Sequence, residues 1–247
     1  MTLTWARNPR ASNHCLSAPC SGQFAGQKSY CNPVDINYQY NFEQQARSIS
    51  YRSGADPVIV NHQGEYFLFA TISGGWWHSK DLVNWRLVGH ALKHLVPEAL
   101  FATPQHGNGV WAPCLTHADG LFWLIYTDVK RYGRTTVGGA SGASLRDFHN
   151  YLVTSPRMDG DWSDPVHLNS SGFDPSLFHD DDGRKYLLNM LWDHRPGNNR
   201  FAGIVLQEYS EKEQRLVGPI KNIFKGTPLR ITEGPHIYKI NGWYYLM

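Results

Sequence analysis

The sequence has no long apolar run: its longest unbroken stretch is LFWLIY at residues 121–126, far short of the roughly 20 residues that a membrane-spanning helix needs. It also has no charge excess, because 23 Lys and Arg oppose 21 Asp and Glu without a basic cluster. These two absences argue against a membrane or a nucleic acid as partner. Residues 1–27 lack the apolar core of a secretory signal, so the sequence predicts a soluble, cytoplasmic protein.

Cysteine is scarce, with four in the chain, and three of these lie in the first 31 residues. Cys15, Cys20 and Cys31, with the neighbouring His14, do not have the spacing of a zinc site, so we predict no metal there. Residues 1–29 are instead rich in Ser, Gly, Ala, Pro and Asn. This composition predicts a poorly ordered leader and leaves residues 30–247 as the folded domain.

Helical periodicity is nearly absent. The one candidate is ALKHLVPEALF at residues 91–101, and Pro97 interrupts it, because proline removes a helical hydrogen bond. Aromatic residues are abundant at 13%, including nine Trp and thirteen Tyr. Such rings either fill a β core or offer flat apolar faces to sugar rings. Short apolar and alternating runs, separated by Asp, Asn, Gly and Pro turns, predict an all-β fold.

Four segments of the chain repeat one pattern: a short residue, Pro, a short apolar strand, a polar turn with Gly, an aromatic residue and a second apolar strand. The motif prolines lie 56, 62 and 60 residues apart, and a turn glycine follows them at offsets of 7, 7, 8 and 7. The segments are ADPVIVNHQGEYFLFAT (55–71), APCLTHADGLFWLIYTD (112–128), FDPSLFHDDDGRKYLLNM (173–190) and EGPHIYKINGWYYLM (233–247), with prolines Pro57, Pro113, Pro175 and Pro235.

A repeat of about 60 residues that contains several short strands is typical of β-propeller blades. We therefore predict an incomplete propeller of about three blades and the first two strands of a fourth. The chain ends within that fourth unit, so we expect a truncated molecule with an exposed blade edge. An unpaired strand edge can pair with another chain, which predicts a possible homo-oligomer.

Acidic residues occupy the position before the motif proline. Asp56 and Asp174 stand there directly, and Glu233 stands one place earlier, before Gly234. The first strands of all blades line one channel and start at one mouth, so these carboxylates should converge, although a lone carboxylate would more simply be solvated. Carboxylates in a confined pocket repel, so one keeps its proton. An acid and a base at neutral pH are what glycoside hydrolysis requires.

The motifs around these residues resemble family 43 glycoside hydrolases, the β-xylosidase and α-L-arabinofuranosidase group. The resemblance runs from about Tyr30 to the end and is densest after Val110. It rests on GADP, VWAP, GFDPSLFHDDDGRKYLLNMLWDHRPGNNRFAGIVLQEY, LVGPIKNIFKGT and TEGPHIYKINGWYYL. The resemblance implies a five-bladed propeller and hydrolysis with inversion of the anomeric carbon.

The resemblance also implies roles for individual residues. Asp56 matches the general base, Glu233 the general acid, and Asp174 the carboxylate that raises the pKa of the acid and orients it. Trp111 and Phe173 match aromatic walls of the subsite that holds the terminal sugar. Core packing is the alternative for both rings.

Substrates implied by the resemblance are xylo- or arabino-oligosaccharides, and no cofactor is required. Some relatives hold a calcium ion in the channel, but its histidine ligand would lie beyond this chain. HDDDG at residues 179–183 is read as a hairpin turn, not a calcium site. Two alternatives stay open: an inactive or weakly sugar-binding propeller fragment, and a fructoside-cleaving relative of invertase, which fits worse because the Asn-Asp-Pro-Asn-Gly signature is absent.

Overall fold

A computed structural model of the chain describes residues 56–71, 75–90, 109–132, 136–137, 140–141, 145–195, 197–229 and 231–247. The predicted leader at 1–29, the cysteine cluster and the helical candidate at 91–101 lie outside these residues. Within them the chain forms strands and turns and no helix, so no described segment is an apolar helix of membrane-spanning length. The all-β prediction is confirmed.

The strands form three antiparallel sheets of four strands, each of which we call a blade. Blade one contains β1 (Val58–His62), β2 (Glu65–Phe69), β3 (Gly75–Ser79) and β4 (Arg86–His90). Blade two contains β5 (Gly109–Ala118), β6 (Leu121–Tyr132), β9 (Leu145–Ser155) and β10 (Val166–Asn169), with a small hairpin of β7 (Thr136–Val137) and β8 (Ala140–Ser141) between β6 and β9. Blade three contains β11 (Gly172–His179), β12 (Lys185–Trp192), β13 (Phe201–Ser210) and β14 (Arg215–Phe224).

A final hairpin, β15 (Ile237–Ile240) and β16 (Trp243–Leu246), follows blade three. In each blade the strands pair in chain order, and every one of the four repeat segments forms the first hairpin of its sheet. The proline-based repeat therefore located the start of each structural unit correctly.

The turns of these hairpins explain the glycine offsets. In three of them both turn residues have positive φ, which is the two-residue turn that fits the twist of the flanking strands. These pairs are Gln63–Gly64, Asp119–Gly120 and Asn241–Gly242. In the third repeat Gly183 N–H donates to the Asp180 carbonyl oxygen at 3.0 Å, so that turn is longer and its glycine comes at offset 8. The HDDDG segment is a hairpin turn, as predicted.

Apolar clusters hold adjacent blades together. Phe69 and Trp76 of blade one pack with Leu124 and Tyr126 of blade two. Trp123 and Ile125, on the opposite face of β6, pack with Leu177 and Leu187 of blade three. Trp76 and Trp77 are buried. Because each sheet buries both faces where it has a neighbour, the aromatic excess is mainly core material.

A buried polar network also joins blades two and three. Asn150 Nδ2 donates to Asn169 Oδ1 at 2.8 Å and to the Gly172 carbonyl oxygen at 3.0 Å. Asn169 Nδ2 donates to Asn189 Oδ1 at 3.1 Å, and Thr127 Oγ1 donates to Asn150 Oδ1 at 2.8 Å. Satisfied buried networks specify one arrangement of the strands they join. This one fixes the start of β11, two residues before Asp174.

Candidate active site

The residue before each motif proline has a left-handed backbone. The φ angles are 50° at Asp56, 39° at Ala112, 55° at Asp174 and 64° at Gly234. In β5 and β11 the pairing register also shifts at this point, between Trp111 and Cys114 and between Phe173 and Ser176. Left-handed backbone is unfavourable for residues other than glycine and concentrates at functional sites. The same distortion thus recurs at equivalent positions of all four repeats.

These positions meet at one pocket of about 390 Å³. Residues from the first strands of all four repeats, or from the residues directly before them, line it: Asp56, Pro57, Val58 and Ile59; Ala112, Pro113 and Cys114; Asp174 and Pro175; and Gly234, His236 and Tyr238. The pocket is therefore the channel that the repeat predicted. It brings Asp56 and Asp174 together, and Glu233 directly precedes Gly234 in the chain.

Asp174 has a strongly shifted proton affinity. Its partial burial raises the pKa of the carboxyl, and the negative charges of Glu233 and Asp56 raise it further. A hydrogen bond from the Gly234 N–H to Asp174 Oδ2, at 3.0 Å, acts in the opposite direction. The result is a pKa of about 7, against an ordinary value of 3.8. Asp174 is therefore partly protonated at neutral pH.

Glu233 is shifted in the same direction. Partial burial raises the pKa of its carboxyl, and the charge of Asp56 adds to the effect. Charges that shift the pKa of a neighbouring carboxyl lie close to it. Although these three acidic residues are 118 and 59 positions apart along the sequence, the charge of Asp56 reaches both other carboxyls and that of Glu233 reaches Asp174.

Asp56 is oriented by a hydroxyl. Thr71 Oγ1 donates to Asp56 Oδ2 at 2.6 Å and accepts a hydrogen bond from the Ala112 N–H at 2.8 Å. Asp174 accepts directly from the Gly234 N–H. In both cases the aspartate before one motif proline is connected by hydrogen bonds to the next repeat, at the backbone N–H of the residue before its motif proline. Blade one does this through Thr71, and blade three does it directly.

Sequence reasoning did not identify Thr71, although a signal was present. Thr71 follows Pro57 by 14 residues, and Thr127 follows Pro113 by the same 14. Both hydroxyls make buried or partly buried side-chain hydrogen bonds next to a blade interface. Comparing the repeats at this second position would have found both residues.

The two predicted aromatic residues lie in contact, with ring centroids 5.9 Å apart. Phe173 is 6% exposed and packs on Phe148 and Trp192, at centroid distances of 4.9 and 5.5 Å. Trp111 is half-buried, and the Arg146 guanidinium lies 5.3 Å from its ring centroid. Phe173 is thus mostly core, whereas Trp111 keeps part of its indole accessible.

Two further residues of the pocket, Cys114 and His236, have no proposed catalytic role. Cys114 is buried, and burial raises the pKa of its thiol to about 11, so it is not a reactive thiolate. His236 hydrogen-bonds through Nδ1 to the Gly234 carbonyl oxygen at 3.1 Å. Among the described residues, no group of three or more His, Cys, Asp or Glu side chains could hold a metal ion.

Residues 46–247 match the profile of glycosyl hydrolases family 43. The chain belongs to this family. It is 54% identical to the β-xylosidase of Bacillus subtilis (strain 168) over 196 residues, which cover 79% of this chain and 34% of that protein. It is 50% identical to the xylosidase/arabinosidase 43B of Humicola insolens over 198 residues, which cover 78% of this chain and 35% of that protein.

The family 43 fold is matched in three dimensions as well. The crystal structure of xylan β-1,4-xylosidase from Bacillus halodurans C-125 superposes with a TM-score of 0.67 at 51% identity, covering 78% of this chain and 36% of that one. The chain spans about a third of the length of these family 43 relatives. Solved family 43 enzymes are five-bladed propellers, so the sheets described above are three blades and the first hairpin of a fourth.

Proposed function

We propose that the chain carries the catalytic carboxylates of an inverting exo-glycosidase, which releases β-D-xylosyl or α-L-arabinofuranosyl residues from xylan-derived oligosaccharides. The observation that carries this proposal is the convergence of Asp56 and Asp174 on one pocket, with Glu233, the neighbour of the pocket residue Gly234, close enough for its charge to raise the pKa of Asp174. Membership in family 43 and the names of the relatives, β-xylosidase and xylosidase/arabinosidase, support the substrate class.

Each carboxylate has one task in this proposal. Partial burial and the charge of Asp56 raise the pKa of Glu233, which favours its protonated form, and in this proposal that carboxyl gives its proton to the leaving glycosidic oxygen. Asp56, held by the Thr71 hydroxyl, takes a proton from water. That water attacks the anomeric carbon from the opposite face as the glycosidic bond breaks, which inverts the configuration. Asp174 and Glu233 repel each other, so the pair retains a proton up to near-neutral pH.

The aromatic pair is the proposed wall of the terminal-sugar subsite. Trp111 supplies the accessible ring, and Phe173 backs it from the core. A flat indole face suits the apolar face of a pentose ring. The Arg146 guanidinium beside the indole helps hold its orientation, since cation–π contacts favour one ring position.

The acid role is tested with Glu233→Ala on two substrates. A glycoside with a poor leaving group, such as xylobiose, needs protonation, so kcat/KM should fall by about 100-fold or more. An aryl xyloside with an activated leaving group should lose much less. Asp164→Asn, at an exposed carboxylate on the loop before β10, is the matched control and should leave both rates unchanged. An equal loss on both substrates would contradict the acid role.

The stereochemistry is tested separately. Proton NMR of the first-formed sugar should show the inverted anomer, since the attacking water and the leaving group lie on opposite faces. Retention of configuration would reject the proposed mechanism.

A second candidate is an inactive or weakly sugar-binding propeller fragment. Its support is the apolar surface of the last hairpin, where Trp243 is 72% exposed and Tyr244 54% exposed, and β16 pairs with no described strand other than β15. Such an edge can also pair with a second copy of the chain. Size-exclusion chromatography with an aryl-xyloside assay separates the cases: a monomer without turnover favours the inactive fragment, and activity that rises with association favours assembly.

A further inference from the structure

A second pocket, of about 480 Å³, opens between blades one and two. None of its described lining residues belongs to the carboxylate pocket. His62, at the end of β1, and Gln63, in the following turn, belong to it, whereas Asp56 precedes β1. Five residues of strand span about 17 Å. The two pockets therefore lie toward opposite ends of β1, the carboxylate pocket reaching Ile59 and the second pocket starting at His62.

The inner wall of this second pocket is aromatic. The ring centroid of Phe67 lies 5.8 Å from that of Trp76 and 5.9 Å from that of Phe122. The three rings are mostly buried and present only their edges to the pocket, with 8%, 5% and 2% of Phe67, Trp76 and Phe122 exposed. Val88, which is 39% exposed, continues the apolar surface toward solvent. An apolar wall of this kind suits the flat face of a small ring.

Some charged side chains of the pocket have ion-pair partners, and one does not have a partner among the described residues. The Glu65 carboxylate is paired with His78 Nε2 at 2.8 Å and with Lys80 Nζ at 3.2 Å. Arg157 is paired with Asp159 through two hydrogen bonds of 2.9 and 2.8 Å. Arg86, at the start of β4, pairs with His78 through the strand ladder; its side chain is exposed and has no hydrogen bond or ion pair with any residue of the described ranges. Among the described residues, its guanidinium is thus open to an external partner.

We infer that this pocket binds a carboxylate-bearing sugar ring, a uronic acid, independently of the hydrolytic reaction. The carboxylate pairs with the Arg86 guanidinium, whose planar fork matches two carboxylate oxygens. The ring lies against the aromatic wall. His62, whose ring centroid is 4.1 Å from that of His117, and Gln63 are placed to hydrogen-bond ring hydroxyls. The volume lies within the range of about 300–1,000 Å³ that is typical of small-molecule sites.

The test uses the whole 247-residue chain and three ligands that separate charge from ring. Glucuronate has both features, glucose has the ring alone and acetate has the carboxylate alone. The indole N–H signal of Trp76 in an NMR titration reports on the pocket. Glucuronate should bind about tenfold more tightly than glucose, because it adds a charge-assisted pair with Arg86, and about tenfold more tightly than acetate, because it adds the contact of the ring with the apolar surface.

Two variants locate the ligand. Arg86→Gln should weaken glucuronate about tenfold and leave glucose unchanged. Arg184→Gln is the matched control, because that guanidinium lies on the β11–β12 turn and is paired with Asp182; it should change nothing. Acetate binding as tightly as glucuronate would reduce the site to a simple anion site and overturn the inference. So would equal binding of glucose, or glucuronate binding that Asp56→Asn abolishes and Arg86→Gln does not.

Discussion

Asp56 and Asp174 occupy the same place in two repeats and differ in everything around them. Both precede a motif proline, and both have left-handed backbone, with φ of 50° and 55°. Asp56 is exposed and accepts a hydrogen bond from the Thr71 hydroxyl. Asp174 is half-buried, accepts a backbone N–H from Gly234 and has a pKa of about 7.

This difference separates two contributions to the site. The repeat and its left-handed residue determine where each carboxylate lies. The neighbouring blade determines how tightly it holds a proton: burial and the charge of Glu233 act on Asp174. With the proposed roles, one backbone motif presents both the base and the carboxylate that shares a proton with the acid, which is how paired carboxylates divide their roles.

The largest expected effect on activity comes from removing the carboxylate of Asp56 or of Asp174, one at a time. Asp56→Asn removes the proposed base and should lower kcat/KM on xylobiose about 10³-fold across the pH range, within the usual effect of general base catalysis. Asp174→Asn should lower it less, about 10²-fold, and change the pH profile. Without the Asp174 charge the acid loses its proton more easily, so the basic limb should move to lower pH.

Rates measured from pH 4 to pH 9 check this comparison. Identical profiles for the two variants would contradict the separate roles. Loss of activity with a matching loss of the folded state, followed by circular dichroism, would show that the substitution acted on the fold instead.

The second prediction concerns stability and needs no activity. Since the pKa of Asp174 is raised to about 7 from 3.8, the folded state holds a proton that the unfolded chain has lost between these values. Folding stability from this group is therefore present at low pH and is lost as pH rises toward 7. Asp174→Asn removes the loss of stability that the wild type suffers when the Asp174 carboxyl ionises in the folded state. The variant should gain about 2 kcal/mol over the wild type between pH 4 and pH 8, half of the full shift, because solvent screens a half-buried group.

Urea unfolding at several pH values measures this gain, with Asp164→Asn as the control at an exposed carboxylate. A constant difference between Asp174→Asn and the wild type at all pH values would show that the proton affinity of Asp174 is ordinary.

The hairpins and the positions of the carboxylates were predictable because their signals are local. Each motif proline, turn glycine and apolar alternation lies within about 17 residues, the length of the quoted repeat, and the repeat multiplies that weak signal fourfold. Equivalent positions in blades then place Asp56 and Asp174 at one pocket. The catalytic roles of these residues, and that of Glu233, stay predictions.

The partners of these residues were not predictable, because they depend on contacts between distant parts of the chain. Thr71 meets the Ala112 N–H across 41 positions, and Asn189 meets Asn169 across 20. The burial of Phe173 follows from its contact with Phe148, a residue of another blade. Strand periodicity shows which face a side chain occupies, but not which residue faces it there.

The smallest expected effect concerns the hydroxyl of Thr71, through which blade one ties Asp56 to the Ala112 N–H. Thr71→Val keeps the shape of the side chain but removes both the donor to Asp56 and the acceptor for the Ala112 N–H. One such bond contributes about 1 kcal/mol, so kcat should fall about five- to tenfold with KM nearly unchanged. Thr71→Ser keeps the hydroxyl and should remain close to the wild type. Amide hydrogen exchange at Ala112 should accelerate in the valine variant alone; equal behaviour of the two variants would show that blade one positions its aspartate without this hydroxyl.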